Sequence, residues 1–278
     1  MVQSQSTTLK PMAKRAHLIT GGFPAGSPAG HDMDYARLRL LGFLAEHEDA
    51  TTTVANDFGE LDKWLDGANL LMTYVAGPIP NAEQHATLRV WLQAGGRWFA
   101  LHGTSGGRAA RIEGTRQRKM VKEAHHETLG SFFLNHPPLR RFDVAVTGEH
   151  PLTSGLPDSF ETVDELYLIE PIGESNVLLT TELAEDPSPP GFGFQYDTDT
   201  SLQPDGKTRV LGYVKDVGKG SVAYVALGHC HSPRSNSQPF VDASVADDGV
   251  TPGTFRGSWE TDAFQTLVRN AVNWGLPG

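Results

Sequence analysis

Residues 81–103 read NAEQHATLRVWLQAGGRWFALHG, a complete helix–turn–strand unit. Asn81, followed three residues later by Gln84, has the pattern of a capping box, which predicts that a helix begins here. The pair Gly95-Gly96 predicts its end, because glycine readily adopts the left-handed conformation that closes a helix. The apolar run 97–101 then predicts a buried strand, and a histidine follows it directly.

The same alternation of short apolar strands and helices fills the first half of the chain. We predict helices that begin near Met33, at Phe58 and at Asn81. The predicted strands of this half cover residues 16–20, 51–55, 69–74 and 97–101. Strands that alternate with helices in this way form a parallel sheet with right-handed crossovers, so the sequence predicts an α/β fold.

The second half is richer in strands. The glycine turn at 218–220, between two apolar runs, predicts an extra β-hairpin. The predicted strands cover residues 142–146, 167–169, 177–180, 210–214 and 222–227, and a last helix covers 261–274. Segments 185–207 and 232–257 are predicted loops, of a length typical of loops that serve a site. We predict a disordered tail over residues 1–15 and a single domain over 16–278.

Composition argues against several classes of partner. The net charge of −10 argues against binding to nucleic acids and to anionic membranes. The single cysteine, Cys230, cannot form an internal disulfide. No apolar run approaches the ~18 residues of a transmembrane helix, and no secretory signal is visible. We expect a cytoplasmic protein whose partner is a neutral or cationic small molecule, and we leave the formation of homo-oligomers open.

Histidines follow three of the predicted strands. His31, with Asp32, lies beyond the first strand, His102 directly follows the fourth, and His229 follows the last. Ligands of parallel α/β sheets bind beyond the carboxyl ends of the strands, so we predict that these side chains line one crevice. We interpret four other histidines as structural: His125, His126, His136 and His150.

Two adjacent carboxylates, Asp164 and Glu165, stand beside a predicted strand. Neighbours on a regular strand point to opposite faces, so only one of them faces the crevice, and the sequence leaves open which. Histidine titrates near neutral pH, which suits acid–base catalysis by His102 and His229, oriented by one carboxylate. The sequence specifies no cofactor. The residue types would allow these side chains to bind a divalent metal such as zinc. No HExxH or CxxC spacing specifies a metal, so the sequence leaves this question open.

Residues 103–107, Gly-Thr-Ser-Gly-Gly, fit the G-x-S-x-G pattern of a nucleophile elbow. The chain order Ser105, Asp164, His229 also matches that of α/β-hydrolases. The pattern fixes few positions in a chain with 30 glycines, so we interpret the segment as a turn that lets the backbone approach a ligand. We expect five side chains to bind substrate hydroxyls: His31, Asp32, Thr104, Ser105 and Asp164.

Several short motifs, in order, resemble the ThuA-like (trehalose utilisation) family over nearly the whole chain. Leu101-His102-Gly103 follows the Gly-Gly helix end, and a segment with two phenylalanines ends at His136-Pro137. Asp164 to Tyr167 forms an Asp-Glu-Leu-Tyr motif. The remaining motifs are His150 to Thr153, Gly218 to Gly220, Leu227 to His229 and Asn270 to Trp274.

The resemblance implies a flavodoxin-like three-layer sandwich with a mainly parallel central sheet, related to class I glutamine amidotransferases. In those enzymes the turn after the corresponding strand carries a nucleophilic cysteine. Here that turn carries His102, Gly103 and Thr104, while His229 looks similar in place to the amidotransferase histidine. The missing thiolate implies that glutamine hydrolysis is lost. The family's name links the chain to trehalose and related disaccharides, including keto-sugars.

These observations lead to the hypothesis of a sugar-processing enzyme of isomerase or hydrolase type. His102, Glu165 and His229 are its predicted acid–base residues. Two alternatives stay open: a serine hydrolase that uses Ser105, and a non-catalytic sugar-binding protein on an inherited enzyme scaffold. The basic stretch 108–122 is interpreted as a lid or a partner surface.

Overall fold

The first half of the chain folds into alternating strands and helices, as predicted. The computed structural model describes residues 13–277. Its first elements are β1 (Lys14–Gly22), α1 (Met33–Ala45), β2 (Ala50–Ala55), α2 (Leu61–Leu65), β3 (Leu70–Ala76), α3 (Ala82–Ala94) and β4 (Arg97–Leu101). Residues 1–12 of the predicted tail lie outside the described residues. Lys14 and Arg15 belong to β1, so this strand begins earlier than predicted.

The capping box that opens α3 is confirmed. The side-chain oxygen of Asn81 accepts from the backbone N–H of Gln84 at 2.9 Å, and the Gln84 side chain accepts from the backbone N–H of Asn81 at 2.9 Å. Gly95 closes the helix with a φ of 123°, a left-handed value that favours glycine. Both ends of this helix are therefore set by local sequence.

The second half adds short strands that the sequence did not reveal. Its elements are β5 (Arg108–Arg111), β6 (Arg118–Val121), α4 (His125–Leu129), β7 (Ser131–Asn135), β8 (Arg140–Val146), β9 (Ser159–Asp164), β10 (Leu168–Pro171), β11 (Asn176–Glu182), β12 (Thr208–Val217), β13 (Gly220–Val225) and α5 (Asp262–Gly275). The predicted hairpin is confirmed as β12–β13, which pair antiparallel. Strands β5, β6, β7 and β9 were not predicted.

A nine-stranded sheet in the order β2-β1-β3-β4-β13-β12-β11-β8-β9 forms the centre of the molecule. The five strands from β2 to β13 are parallel, and every pairing from β13 to β9 is antiparallel. The predicted α/β class is thus confirmed as a mixed α/β fold. The expectation of a mainly parallel sheet is wrong, because four of the eight strand pairings in this sheet are antiparallel.

The helices flank the parallel half of the sheet. Helix α1 packs beside α5, and α2 packs beside α3. The crossover from β1 leads outward to β2, whereas the crossover from β3 leads the other way to β4, so right-handed connections place α1 and α3 on opposite faces. This arrangement is consistent with a flavodoxin-like sandwich. The reversal of direction at β1 and β3 opens a crevice beyond their carboxyl ends.

The antiparallel hairpin β5–β6 projects beside this crevice and carries most of the basic stretch. Six basic residues and one acidic residue lie between positions 108 and 122. We call this segment the basic hairpin. Arg108 forms an ion pair with Glu123, at 3.4 Å between Nε and a carboxylate oxygen, and Lys122 pairs with Glu170 at 2.5 Å. None of the helices between residues 13 and 277 has the length and hydrophobicity needed to cross a bilayer.

His125 makes the fold sensitive to acid. Neither of its ring nitrogens has a hydrogen-bond partner among residues 13–277, and its ring lies 3.9 Å from that of His126. Burial, followed by the neighbouring His126 and His85, lowers the pKa of His125 from 6.5 to about 3. The folded protein therefore holds this imidazole neutral, whereas the unfolded chain takes up a proton as the pH falls below 6.5.

We expect His125 to leave the free energy of unfolding unchanged above pH 6.5 and to reduce it as the pH falls below 6.5. The loss that this residue contributes by pH 5 should be about 2 kcal/mol. Urea unfolding of wild type and His125→Leu at pH 7 and pH 5 measures it, and the variant should lose less stability between the two values. Leu129→Ala is the control, because it opens the same region without removing a titrating group. Equal acid losses in wild type and His125→Leu would contradict the assignment.

Candidate functional site

Three histidines and one carboxylate from four separate segments meet beyond the strand ends. They are His31 before α1, His102 after β4, Glu165 after β9 and His229 after β13. All four are buried, and one nitrogen or oxygen of each lies within 4.8 Å of the corresponding atom of every other. The structure thus brings together the three strand-end histidines named from the sequence. We call these residues the histidine–glutamate cluster.

Glu165 lies at the centre of the histidine–glutamate cluster. Its Oε2 is 3.2 Å from His102 Nε2 and 4.0 Å from His31 Nε2, and its Oε1 is 3.2 Å from His229 Nδ1. The side-chain amide of Gln238 donates to the same Oε1. Burial alone would raise the pKa of Glu165, but the surrounding imidazoles hold it well below its usual range. The carboxylate is therefore ionised at neutral pH.

His102 is held in an unusual backbone conformation at the point where β4 ends. Its φ is 47°, in the left-handed region that non-glycine residues seldom occupy. Its ring stacks on Tyr167 at 4.1 Å between centroids, and the nearly parallel ring of Tyr74 lies 6.0 Å away. Ring Nδ1 hydrogen bonds the carbonyl oxygen of Ala226 at 2.7 Å. Such conformations persist only where the surroundings fix them, and they gather at functional sites.

Asp164 faces away from the histidine–glutamate cluster and binds backbone instead. Its oxygens accept from the N–H groups of Glu165, Gly228 and His229 at 2.8 to 2.9 Å, and from the hydroxyl of Ser258. The sequence left open which of the two carboxylates faces the crevice, and the structure assigns this place to Glu165. Asp164 is fully buried and does not line the cavity, so we no longer expect it to bind substrate.

A cavity of about 590 Å³ opens from the histidine–glutamate cluster towards solvent. His31, His136 and Glu165 form its polar end, while His102 and His229 stand behind Glu165 and do not line it. Its walls are largely aromatic and glycine-rich, from Phe23, Phe133, Tyr167, Phe194, Gly103, Gly106 and Gly107. Arg108 and Arg118 of the basic hairpin lie at its edge. The volume is typical of a small-molecule site.

His136 belongs to this site, although the sequence suggested a structural role. Its Nε2 lies 3.5 Å from Glu165 Oε1, and its ring stacks on Tyr167. His136 follows β7, so it is one more histidine at a strand end, but that strand was not predicted. Gln238 was also missed. It lies in the long segment 232–257, whose length already indicated a loop that serves a site.

Ser105 and Thr104 turn away from the cavity. Ser105 Oγ lies 2.7 Å from the Tyr224 hydroxyl and 3.4 Å from the carbonyl of His102, and its hydrogen bonds within residues 13–277 include no imidazole. Thr104 donates to Thr73. The expectation that these side chains bind substrate is not met by their placement, and the nucleophile–base contact of a serine hydrolase is not formed at Ser105.

The contacts of Asp32 and the burial of Cys230 indicate structural roles for both residues. The Asp32 carboxylate caps α1 by accepting from the N–H of Tyr35, and it pairs with Arg256 at 2.9 Å. Asp32 does not line the cavity, so its expected role in binding hydroxyls is not supported by this geometry. The Cys230 thiol is buried, and burial raises its pKa to about 12. It is therefore a poor candidate for a nucleophile.

Comparison with known proteins agrees with this architecture. A putative ThuA-like protein from Bacteroides uniformis is 16% identical, with a TM-score of 0.61 over 98% of this chain and 95% of that one. A putative ThuA-like protein from Parabacteroides merdae is 15% identical, with a TM-score of 0.56 over 95% of this chain and 90% of that one. At these identities the likeness concerns the fold. No curated protein matches the chain. The model of the family described as "ThuA: Trehalose utilisation" matches residues 7–243, so the chain belongs to the ThuA family.

Proposed function

We propose that this protein is a carbohydrate-processing enzyme that transfers a proton to or from a sugar held against Glu165 and His136. The observation that carries the proposal is a buried carboxylate at the polar end of a cavity, with imidazole nitrogens at 3.2 to 4.0 Å around it. A carboxylate among imidazoles supplies groups that accept and donate protons, as general acid–base catalysis requires. The family's link to trehalose utilisation supports a role in carbohydrate use.

The walls of the cavity favour a neutral sugar. Aromatic faces such as those of Phe23, Phe133 and Phe194 pack against the apolar faces of a sugar ring, while polar groups at one end select its orientation. The main chain at Gly107 comes close to the basic hairpin, since a Cβ there would lie 2.2 Å from the carbonyl oxygen of Val121. This glycine therefore shapes the wall. A disaccharide or its keto form is the substrate class that we propose.

The roles within the site follow from which groups reach the cavity. Glu165 and His136 face the substrate and exchange the proton. His102 and His229 contact Glu165 from behind, and they hold it in place. His31 lines the cavity and contacts His102, so it binds substrate and contributes to the network. Asp164 fixes the backbone of Glu165 and His229 and takes no part in the proton transfer.

His102→Ala should abolish turnover while the chain stays folded. The proposal is tested by incubating the pure protein with trehalose, related disaccharides and their keto forms in D₂O. Products and deuterium exchange are then followed by NMR. On the substrate found, the variant should lose activity, because the support of Glu165 from behind is lost. Full activity of a folded His102→Ala protein would refute the assignment. Sugar-dependent thermal stabilisation without any product would instead indicate a sugar-binding protein.

A further inference from the structure

The hydrogen bonds of His31 and His102 fix where their lone pairs point. His31 Nδ1 lies 2.9 Å from the carbonyl oxygen of Ala29, and His102 Nδ1 lies 2.7 Å from that of Ala226. A carbonyl oxygen only accepts, so each Nδ1 carries the ring proton and donates it. Nε2 of each neutral ring is then left with a lone pair. These two Nε2 atoms face each other at 3.1 Å.

Two consecutive hydrogen bonds, through His231, fix which nitrogen of His229 carries the lone pair. His231 Nε2 lies 2.7 Å from the carbonyl oxygen of Pro252, so Nε2 is the donor and Nδ1 of His231 is an acceptor. His229 Nε2 lies 3.0 Å from that acceptor and donates to it. The lone pair of His229 is therefore on Nδ1, the atom that faces Glu165. This nitrogen has no hydrogen-bond partner among residues 13–277.

Three lone pairs and one carboxylate thus point at one another in a buried space. Glu165 Oε2 is also without a hydrogen-bond partner in the described part of the chain, although it is completely buried. Electron pairs gathered in this way repel one another, and burying them uncompensated is costly. A cation at their centre removes both penalties. Fixing the other ring nitrogen of a metal-binding histidine by a carbonyl or a similar acceptor is the usual outer-shell arrangement of metal sites.

The spacing of the donor atoms fits a small divalent ion. Metal bonds of 2.0–2.1 Å from histidine nitrogen and carboxylate oxygen, in tetrahedral geometry, place neighbouring ligand atoms about 3.3 Å apart. Three of the six separations are close to this value: 3.1 Å between His31 Nε2 and His102 Nε2, 3.2 Å between His102 Nε2 and Glu165 Oε2, and 3.2 Å between His229 Nδ1 and Glu165 Oε1. His31 Nε2 lies 4.0 Å from Glu165 Oε2, and the four donor atoms all lie within 4.8 Å of one another. Three nitrogens and one carboxylate suit a first-row transition metal, whereas magnesium and calcium prefer all-oxygen sites.

We propose that His31, His102, His229 and Glu165 form a binding site for one divalent transition-metal ion per chain, of the zinc type. His31 and Glu165 also line the cavity, so the ion would be reached from the substrate side. The inference rests on geometry and stands independently of the proposed function. If both hold, a bound ion takes Glu165 as a ligand, and the proton transfer proposed above for Glu165 and His136 then falls to His136 alone.

The test is metal stoichiometry in the full chain, freed of any affinity tag that binds metals. The protein is stripped with a chelator, loaded with Zn²⁺ or Co²⁺, passed through a desalting column and analysed by elemental mass spectrometry. We expect about one ion per chain, the visible absorption bands of Co²⁺ bound by nitrogen ligands, and no retention of Mg²⁺. Loading should also raise the melting temperature, on the order of 10 °C when free Zn²⁺ is a thousandfold above Kd.

Variants separate this site from chance binding at other histidines. His31→Ala, His229→Ala and Glu165→Gln should each lose stoichiometric metal. His47→Ala is the control, because His47 lies just beyond the C-terminal end of α1 and outside the cluster, and this variant should retain one ion. Circular dichroism of each variant checks the fold. Wild type that retains less than about a tenth of an ion after loading, or equal retention in wild type and all cluster variants, would overturn the proposal. Because the readout is bound metal, failure here and failure to find a sugar substrate remain distinct results.

Discussion

Glu165→Gln should reduce kcat on the sugar substrate by about 10³-fold, within the range known for the loss of an acid–base group. The amide has nearly the shape of the carboxylate, but it carries no charge and takes up no proton at neutral pH. It also presents an N–H₂ donor where the carboxylate presented only acceptors. Steady-state kinetics at saturating sugar measure the effect.

The fold of this variant should survive, which makes the kinetic result interpretable. Glutamine keeps the shape of the side chain, and circular dichroism checks that the variant is folded. Glu161→Gln is the matched control, because Glu161 is an exposed residue that pairs with Arg141 far from the cavity. The control should keep wild-type kcat. If Glu165→Gln kept kcat within a factor of three of wild type, Glu165 would not be the proton-transferring group.

Asp164→Ala should cause the largest loss of stability among single changes near the site. The Asp164 carboxylate accepts hydrogen bonds from three backbone N–H groups and the hydroxyl of Ser258, all in the interior. Alanine would leave these four donors unpaired, and the loss from breaking a buried charged network is about 3–5 kcal/mol. For a chain of this length that is a fall in melting temperature of roughly 10 °C.

The comparison with Asp164→Asn separates hydrogen bonding from charge. Asparagine keeps one oxygen acceptor, so it should lose clearly less stability than alanine in calorimetry or urea unfolding. We expect both variants to lower activity, because the N–H groups of Glu165 and His229 are positioned by this carboxylate. Activity would fall without any change in which groups transfer the proton. A loss below 1 kcal/mol in Asp164→Ala would show that the donors find other partners.

The parts of the fold that the sequence predicted are those with local signals. Helix α3 has a capping box at Asn81 and a glycine end, and the hairpin β12–β13 has a glycine turn. The strands that were missed lack such signals. Strand β5, Arg108–Arg111, for example, is largely exposed and basic. The order of the sheet is set by contacts between distant segments, so neither the antiparallel half nor the place of β13 beside β4 was evident.

The site was predictable to the extent that it depends on strand ends. His31, His102 and His229 each follow a strand whose carboxyl end lies at one edge of the sheet, and this placement needs only the α/β pattern. The choice between Asp164 and Glu165 was not accessible, because it depends on how the chain turns as β9 ends. The role of His136 was not recognised because this residue follows β7, a strand that was not predicted. Ser105 is a case in which a matching motif does not give the matching site. Residues 103–107 fit the nucleophile-elbow pattern, but the Ser105 hydroxyl contacts the Tyr224 hydroxyl and no imidazole among the described residues.

The basic hairpin places a local excess of positive side chains beside the cavity of a negatively charged molecule. The chain carries a net charge of −10, yet six basic side chains lie between positions 108 and 122. A local field of this kind raises the association rate of anions, and dissolved salt weakens it over a Debye length of about 8 Å. Neutral sugars would enter at rates that ionic strength leaves unchanged, whereas sugar acids or phosphates would enter more slowly in salt. The kinetics of entry thus carry information about the charge of the natural substrate before its identity is known.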